Sequence, residues 1–149
     1  MARKRYQHEL ELRQFTLEDY DEVKRIMDRI YPKMGGAWTR DQFRAMITRF
    51  PEGQLCIEDK GRVVAGALSL VIDYSRFGDR HTYQEVVGDG TLKNHDPEGD
   101  YLYGIDIFVS PDYREKRLGR RLYDARKELC ETLNLKGIVI GGRIPGYAD

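Results

Sequence analysis

Five cations crowd the place where a helix is expected to begin. The segment Ser110–Cys130 reads "SPDYREKRLGRRLYDARKELC", and from Leu118 onward its apolar residues recur at helical spacing. The cations before and within the first turn are Arg114, Lys116, Arg117, Arg120 and Arg121. A helix N-terminus carries unpaired N–H groups and partial positive charge, so cations are mildly unfavourable there. Such a cluster is reasonable if an anionic ligand supplies the missing negative charge.

A solvated helix face explains the same charges without any ligand. The available ion pairs are Arg120 or Arg121 with Asp124, and Arg126 or Lys127 with Glu131 or Glu128. A nucleic-acid surface is less favoured, because acids interleave with the cations and the chain has 25 basic and 25 acidic residues. Two familiar phosphate motifs are absent, G-x-x-x-x-G-K-[ST] and a G-x-G-x-x-G after a strand.

The composition limits the classes of protein to which the chain can belong. With 149 residues, 34% of them charged and 40% hydrophobic, the chain is typical of one globular domain. Its two cysteines, Cys56 and Cys130, sit in apolar patterns without metal-type spacing, which predicts reduced core thiols. No apolar run has the length of a membrane span, and the basic N-terminus lacks the apolar core of a signal peptide. We therefore expect a cytoplasmic protein with no membrane partner.

Hydrophobic periodicity predicts the elements that must position the cations. They are a strand in "HELELRQF", a helix capped by Thr16, a helix in "TRDQFRAMITRF", a hairpin of Gln54–Glu58 and Arg62–Ile72, a strand Tyr101–Val109, a helix Leu118–Leu133 and a strand Leu135–Ile140. Gly104 within the fourth strand indicates a bulge or a close backbone approach. The polar, Gly-rich segment Asp73–Asp100 lacks a strong period, so we expect this loop to be the most mobile or irregular region of the chain.

The last three elements form a short strand–helix–strand unit. Such a unit places its two strands parallel and its helix on the sheet, so Tyr101–Val109 and Leu135–Ile140 should lie side by side. The rest of the order predicts a mixed α/β (α+β) domain with a mostly antiparallel sheet.

The segment "IDIFVSPDYREKRLGRRL" resembles the acetyl-CoA loop of the GNAT (Gcn5-related N-acetyltransferase) acyltransferases. In that family an apolar strand, a Pro and an R/Q-x-x-G-x-G/A run open a helix. Here Pro111 ends the strand, Arg114 stands at the R/Q position and Gly119 at the second glycine. The match departs at Arg117, where the family usually has its first glycine. The order of the elements resembles the family over nearly the whole chain, which implies the GNAT acyl-CoA N-acyltransferase fold with helices on both faces of the sheet.

Two further segments, "LYGIDIFVSPDYR" and "LNLKGIVIGGRIPGYAD", resemble an N-terminal acetyltransferase-like domain fused to a nitrilase-type carbon–nitrogen hydrolase. GNAT domains continue past the fifth strand with another helix and two strands. We therefore expect residues 1–149 to form a single GNAT-like domain of a longer polypeptide, because an uncovered fifth strand would expose an unpaired edge.

The resemblance implies direct transfer of an acetyl group from acetyl-CoA, as co-substrate, to a small-molecule amine or a protein amine. Pantetheine would pair with the main chain of Ile107, Phe108 and Val109. The pyrophosphate and its loop would involve Arg114, Glu115, Lys116, Arg117, Leu118, Gly119 and Arg120. The rival reading is a non-catalytic acyl-CoA-binding regulatory module serving a second, hydrolase domain. Either a homodimer or a covalently linked second domain remains open, and no nucleic-acid partner is expected.

The catalytic candidates are Asp106 and Tyr103. An attacking ammonium must lose a proton, and Asp106 is the acid within the fourth strand. Its alternative is an outward-facing acid on a half-exposed strand. The family often places Glu at the position of Tyr103, and many members use a Tyr beyond the fifth strand to protonate the thiolate, for which the chain offers Tyr147.

The remaining polar residues carry weaker signals. A metal site could be drawn from His81, His95, Asp89, Asp96 and Glu85, but their spacings match no known site, so no metal is expected. The aromatic residues that could line an acceptor site are Tyr83, Tyr101, Tyr103 and Trp38. Strand-edge tyrosines and a packed tryptophan are the simpler explanations.

Overall fold

A computed structural model describes residues 9–31, 37–77 and 83–143, without the side chains of residues 83, 84, 115, 116 and 141–143. His81 and Tyr147 lie outside these ranges. The strands are β1 Leu10–Gln14, β2 Leu55–Asp59, β3 Arg62–Ile72, β4 Tyr101–Val109 and β5 Gly137–Arg143. The α-helices are α1 Tyr20–Ile30, α2 Arg40–Arg49, α3 Tyr74–Phe77, α4 Tyr83–Val87 and α5 Leu118–Thr132. Short 3-10 turns span Leu17–Asp19, Pro51–Gly53 and Pro111–Lys116.

The described strands form one five-stranded sheet in the order β1-β2-β3-β4-β5. Neighbours pair antiparallel from β1 to β4, whereas β4 and β5 run parallel, with Tyr101 opposite Gly137. The parallel pair is joined by α5, which is the geometry that a strand–helix–strand unit requires. The predicted mixed, mostly antiparallel sheet is confirmed.

Helices cover both faces of the sheet. Successive strand residues point to opposite faces, and Ile107 and Phe108 accordingly belong to different hydrophobic clusters. The cluster around Phe108 contains Val23 and Met27 of α1 and Phe43 of α2. The smaller cluster packs the α5 residues Leu118, Leu122 and Ala125 against Leu55, Ile57, Ala65, Ala67 and Ile107.

A bulge interrupts β4 near its centre. The β3–β4 register shifts between Leu68 and Ser69, where Leu68 lies opposite Asp106 and Ser69 opposite Gly104. The β4–β5 register also shifts between Gly104 and Asp106. The irregularity that Gly104 predicted is therefore present.

Arg126 corrects one expectation drawn from the sequence. The ion-pair pattern placed it on the solvated face of α5, but the side chain is only 1% exposed. Its Nη2 donates hydrogen bonds of 2.7 Å to the carbonyl oxygens of Leu68 and Asp106. The guanidinium thus reaches into the sheet at the bulge instead of pairing along the helix.

In its described parts, residues 73–77 and 83–100, the segment Asp73–Asp100 contains regular structure that its composition did not suggest. It contains α3 and α4, and Val86, Val87 and Leu92 are buried in the larger hydrophobic cluster. Its end is tied to the sheet, because the amide of Asp100 donates to the carbonyl of Ile72 at 2.9 Å. The sequence did not predict these helices, because each is under two turns long and therefore too short to show a helical period.

Both cysteines are free and buried. Burial raises the pKa of the Cys56 thiol to about 12, so this thiol is a core group and not a nucleophile. Within the described ranges, no helix has both the length and the apolar character needed to cross a membrane.

Candidate functional site

The described pairing of β4 with its two neighbours differs in extent. β4 pairs with β3 from Tyr101 to Val109, whereas its described pairing with β5 runs only from Tyr101 to Asp106. The residues beyond that point, Ile107–Val109, therefore have no described β5 partner.

The chain leaves β4 through a 3-10 turn, Pro111–Lys116, and enters α5 through Arg117. The turn is anchored by Tyr113, whose hydroxyl donates to Oδ2 of buried Asp59 at 2.6 Å. Arg117 has φ 56° and ψ 34°, the left-handed conformation that glycine adopts without penalty. The backbone at this position therefore keeps the geometry of a glycine although the residue is arginine.

The start of α5 shows no capping side chain among the described residues. Its N-cap, Arg117, makes no side-chain capping bond, and no acid stands in the first turn. Arg114, Arg117, Arg120 and Arg121 are exposed. The predicted pair of Arg120 with Asp124 is present at 3.4 Å. The other three arginines form no ion pair with a described side chain, so positive charge remains concentrated beside free helix N–H groups.

Asp106 is buried and not the outward-facing acid that was considered as its alternative. Only 1% of the residue is exposed. Its Oδ2 accepts a hydrogen bond of 2.7 Å from the indole Nε1 of Trp38, which belongs to the connection between α1 and α2. Because an indole can only donate, this contact requires an acceptor and orients the carboxylate.

Tyr103 lies two residues before the bulge and is fully buried. Loss of hydration raises the pKa of its hydroxyl, so the group stays protonated at neutral pH. A phenol in this state can donate a proton but is a poor base. The two catalytic candidates therefore differ, because Tyr103 offers a protonated hydroxyl and Asp106 a carboxyl group that accepts the indole N–H.

Trp38 is held from two further sides. Its carbonyl accepts a 2.6 Å hydrogen bond from the hydroxyl of Tyr20. The segment between α4 and β4 also packs on it, since a Cβ added at Gly90 would lie 3.0 Å from the indole. Gln42 fastens the same segment to α2 by donating to the carbonyl of Asp89 at 2.8 Å. Trp38 is therefore a structural junction beside Asp106, a role that its sequence position alone did not indicate.

The polar residues of the Asp73–Asp100 segment serve local structure. His95 accepts a hydrogen bond from the Val71 amide at its Nδ1, at 3.0 Å, and stacks on Phe50. Burial lowers the pKa of His95, so the neutral form that accepts this bond is favoured. Asp89 and Asp96 accept from the amides of Thr91 and Glu98, two residues ahead. In the described part of the chain, no three His, Cys, Asp or Glu side chains cluster as metal ligands do.

The fold and the arrangement of β4, its following loop and α5 define a class, the acyltransferases that bind an acyl-CoA beside a parallel strand pair. The sequence profile of the acetyltransferase (GNAT) family matches residues 20–144. The chain belongs to the GNAT acetyltransferase family.

Two relatives from Bacillus subtilis (strain 168) extend the comparison. The protein named "Probable hydrolase YhcX" is 40% identical over 143 residues, which cover 96% of this chain and 28% of the relative. The "Uncharacterized N-acetyltransferase YkwB" is 33% identical over 141 residues, covering 93% of this chain and 62% of the relative. The chain therefore spans less than two thirds of the length of both relatives.

A solved structure supports the fold. The GphF GNAT-like decarboxylase, determined in complex with isobutyryl-CoA, superposes with a TM-score of 0.64. It is 22% identical and the alignment covers 76% of this chain and 55% of that protein. At this identity the likeness concerns the fold alone.

Proposed function

We propose that this domain is an acetyl-CoA-dependent N-acyltransferase that moves an acetyl group directly to an amine. The observation that carries the proposal is the geometry of β4 and α5. The parallel pair of β4 and β5 leads through a short turn into a helix start that has no side-chain cap at Arg117 and is surrounded by exposed arginines. The phosphate end of an elongated, peptide-like ligand fits this helix start.

The pantetheine arm would take the main-chain groups of Ile107, Phe108 and Val109 as a strand takes its neighbour. The pyrophosphate would sit on the N–H groups of the loop and first turn, formed by Arg114, Glu115, Lys116, Arg117, Leu118, Gly119 and Arg120. Left-handed Arg117 supports this role, because it has a conformation that glycine adopts without penalty, at the position where the family usually has a glycine. The arginines would add charge-assisted contacts to the phosphates.

The acyl end of the arm would then lie near Asp106. A protonated amine cannot attack a thioester, so a base must take its proton, directly or through one water. Asp106 is suited by being a carboxylate fixed by Trp38 at the level of the cleft. Tyr103 is protonated at neutral pH, and its hydroxyl is our proposed proton donor to the departing thiolate. Holding thioester and amine together would supply much of the rate.

The acceptor is proposed to be a primary amine, either of a small molecule or of a protein. The family acts on both kinds of acceptor, and the aromatic junction at Trp38 does not distinguish them. We place the reaction in the cytoplasm, where acetyl-CoA is made and used, and propose no metal cofactor. We propose either a homodimer or a covalently linked second domain as its protein partner.

A second candidate function is a non-catalytic acyl-CoA-binding module that regulates an attached hydrolase. It is favoured by the relative named a probable hydrolase, of which this chain covers only 28%. It is also favoured by Tyr103, which stands where the family often has Glu. The two proposals share the CoA site and differ only in whether an amine is acetylated.

The first test is a calorimetric titration of the protein with acetyl-CoA and with free CoA. Arg114→Ala should weaken binding by about 1.5–3 kcal/mol, roughly ten- to hundredfold, because one charge-assisted phosphate contact is lost. Arg49→Ala, an exposed arginine at the far end of α2, is the matched control and should bind as the parent does. Raising the ionic strength should weaken CoA binding by the parent protein and should weaken CoA binding by Arg114→Ala to a smaller extent.

A second measurement separates the two candidates. The protein is incubated with acetyl-CoA and a panel of amines and peptides, and free thiol release is followed. Acetylated amine together with thiol would support the enzyme, and loss of that activity in Asp106→Asn would support the base. Tight CoA binding with no turnover on any amine would favour the regulatory module. Failure of the protein to bind either nucleotide would defeat both.

A further inference from the structure

We propose that Arg126 is a positioning residue of the donor cleft, which sets the acyl end of the cleft by holding the bulge in β4. The inference rests on the proposed acyl-CoA site. It concerns a residue on the far side of the sheet from Trp38 and outside the phosphate loop.

The first observation is the burial of a full positive charge. Arg126 has the largest side chain among those that are fully buried in the described chain. Burying a guanidinium is costly, and an apolar side chain of similar size is often as stabilising or more so. Its retention at the centre of a sheet therefore favours a role in geometry over a role in stability.

The second observation is what the guanidinium binds. Its Nη2 donates at 2.7 Å to the carbonyls of Leu68 and Asp106, which stand opposite each other at the register shift of β3 and β4. A bulge disrupts the ladder locally, and carbonyls there need other donors. Arg126 supplies one donor group to both strands and so fixes the shape of the bulge.

The third observation is the space that this arrangement requires. A Cβ at Gly104 would lie 2.8 Å from Nη1 and 3.1 Å from Cζ of Arg126. A larger residue at this place would push the guanidinium from its observed position. Gly104 and Arg126 therefore act as one unit, although they come from a strand and a helix.

The bulge matters for the cleft because of the peptide group that follows Asp106. The carbonyl of Asp106 and the N–H of Ile107 belong to one planar trans peptide, so their directions are opposite and coupled. By binding the carbonyl, Arg126 also fixes the Ile107 N–H. Ile107 is the innermost of the three residues proposed for pantetheine, next to the acyl group. Arg126 thus controls the end of the cleft where acetyl-CoA and CoA differ.

The test compares acetyl-CoA and free CoA binding in Arg126→Met and Arg126→Lys, by calorimetry on the full chain. For Arg126→Met we expect acetyl-CoA affinity to fall about tenfold and CoA affinity to change less than about twofold, since phosphate contacts lie elsewhere. Arg126→Lys should recover part of the loss, because an ammonium can reach one carbonyl. Lys127→Met, an exposed neighbour on α5, is the control and should match the parent.

A purely structural role predicts something different. In that case Arg126→Met lowers the thermal midpoint but leaves the ratio of the two affinities as in the parent, and this result would overturn the inference. If the parent itself binds neither nucleotide, the proposed function fails and Arg126 is not at issue.

A milder substitution covers the case in which Arg126→Met does not fold. Gly104→Ala keeps Arg126 but pushes on its guanidinium, and should weaken acetyl-CoA selectively. In Gly104→Ala with Arg126→Lys the smaller head group should restore part of the affinity. Additive losses in the double variant would show that the two residues do not act as a unit, which contradicts the proposal.

Discussion

The helices α2 and α5 begin in opposite ways. At α2, the Thr39 side chain accepts from the Gln42 amide at 3.1 Å, and the Gln42 side chain accepts from the Thr39 amide at 2.8 Å. Asp41 adds a negative charge in the first turn. Two of the donors that a helix start leaves open are thus satisfied by the chain itself.

At α5 none of these devices is present. The N-cap is Arg117 in a left-handed conformation, without a capping bond, and the residues around it are cationic. A chain that can build a capping box at Thr39 has no chemical obstacle to building another here. We propose that the start of α5 differs because it binds a group from outside the chain, the CoA pyrophosphate.

The largest expected effect comes from reversing charge at α5. Arg117→Glu with Arg120→Glu should abolish measurable CoA binding, a loss of on the order of a hundredfold or more, because phosphate would meet like charge. The free protein should become slightly more stable, since acids suit a helix N-terminus. Calorimetry and thermal unfolding with and without CoA measure both effects.

The matched control makes the same charge change at the other helix start. Arg40→Glu with Arg44→Glu, both exposed in the first turns of α2, should leave CoA affinity as in the parent. Unchanged CoA affinity in the α5 double variant would mean that its cations are only a solvated face, and the proposed site would be wrong.

A smaller loss of CoA affinity is expected from Gly119→Asp. A carboxylate in the first turn of α5 competes for the N–H donors that bind pyrophosphate and repels the phosphates. CoA affinity should fall by more than the ten- to hundredfold expected for Arg114→Ala. Gly119→Ala, which adds only a methyl group, separates charge from bulk in the same titration. Equal affinities of the Asp and Ala variants would contradict an anion site.

At α2 the corresponding substitution should affect stability alone. Thr39→Ala removes the capping side chain and should lower the free energy of unfolding by about 1 kcal/mol. Thr39→Ser keeps the hydroxyl and should retain most of the free energy of unfolding that Thr39→Ala loses. Chemical denaturation gives the stability, and CoA affinity measured beside it should not change. A lower CoA affinity of Thr39→Ala would contradict the proposed difference between the two helix starts.

The smallest effect concerns the left-handed residue. Arg117→Gly removes the steric penalty of φ 56° and should raise stability by about 0.5–1 kcal/mol. CoA affinity should fall less than about threefold, because one exposed charge is lost but the loop keeps its course. Arg117→Ala keeps the penalty and serves as the comparison. If Gly and Ala variants are equally stable, the conformation of Arg117 carries no strain.

Local pattern was sufficient for most of the fold. The bounds Arg62–Ile72 and Tyr101–Val109 agree with the predicted strands, and α5 ends one residue before the predicted Leu133. The fifth strand begins later than predicted, at Gly137, because "LK" belongs to the turn after α5. The Asp73–Asp100 segment was the least predictable, since α3 and α4 span four and five residues and are held by contacts with distant parts of the chain.

The sequence by itself determined the order of elements, the parallel strand pair and the place of the cations at a helix start, because period and turn chemistry act over a few residues. Only the tertiary structure decided that Trp38 binds Asp106 and that Arg126 crosses to the bulge beside Gly104. Trp38 and Asp106 are 68 residues apart in the sequence, and Arg126 and Asp106 are 20 residues apart. Sequence pattern alone assigns an arginine to the solvent-exposed face of a helix. The packing of α5 on the sheet brings two carbonyl oxygens within 2.7 Å of the Arg126 guanidinium. These hydrogen bonds offset the loss of hydration of the buried guanidinium.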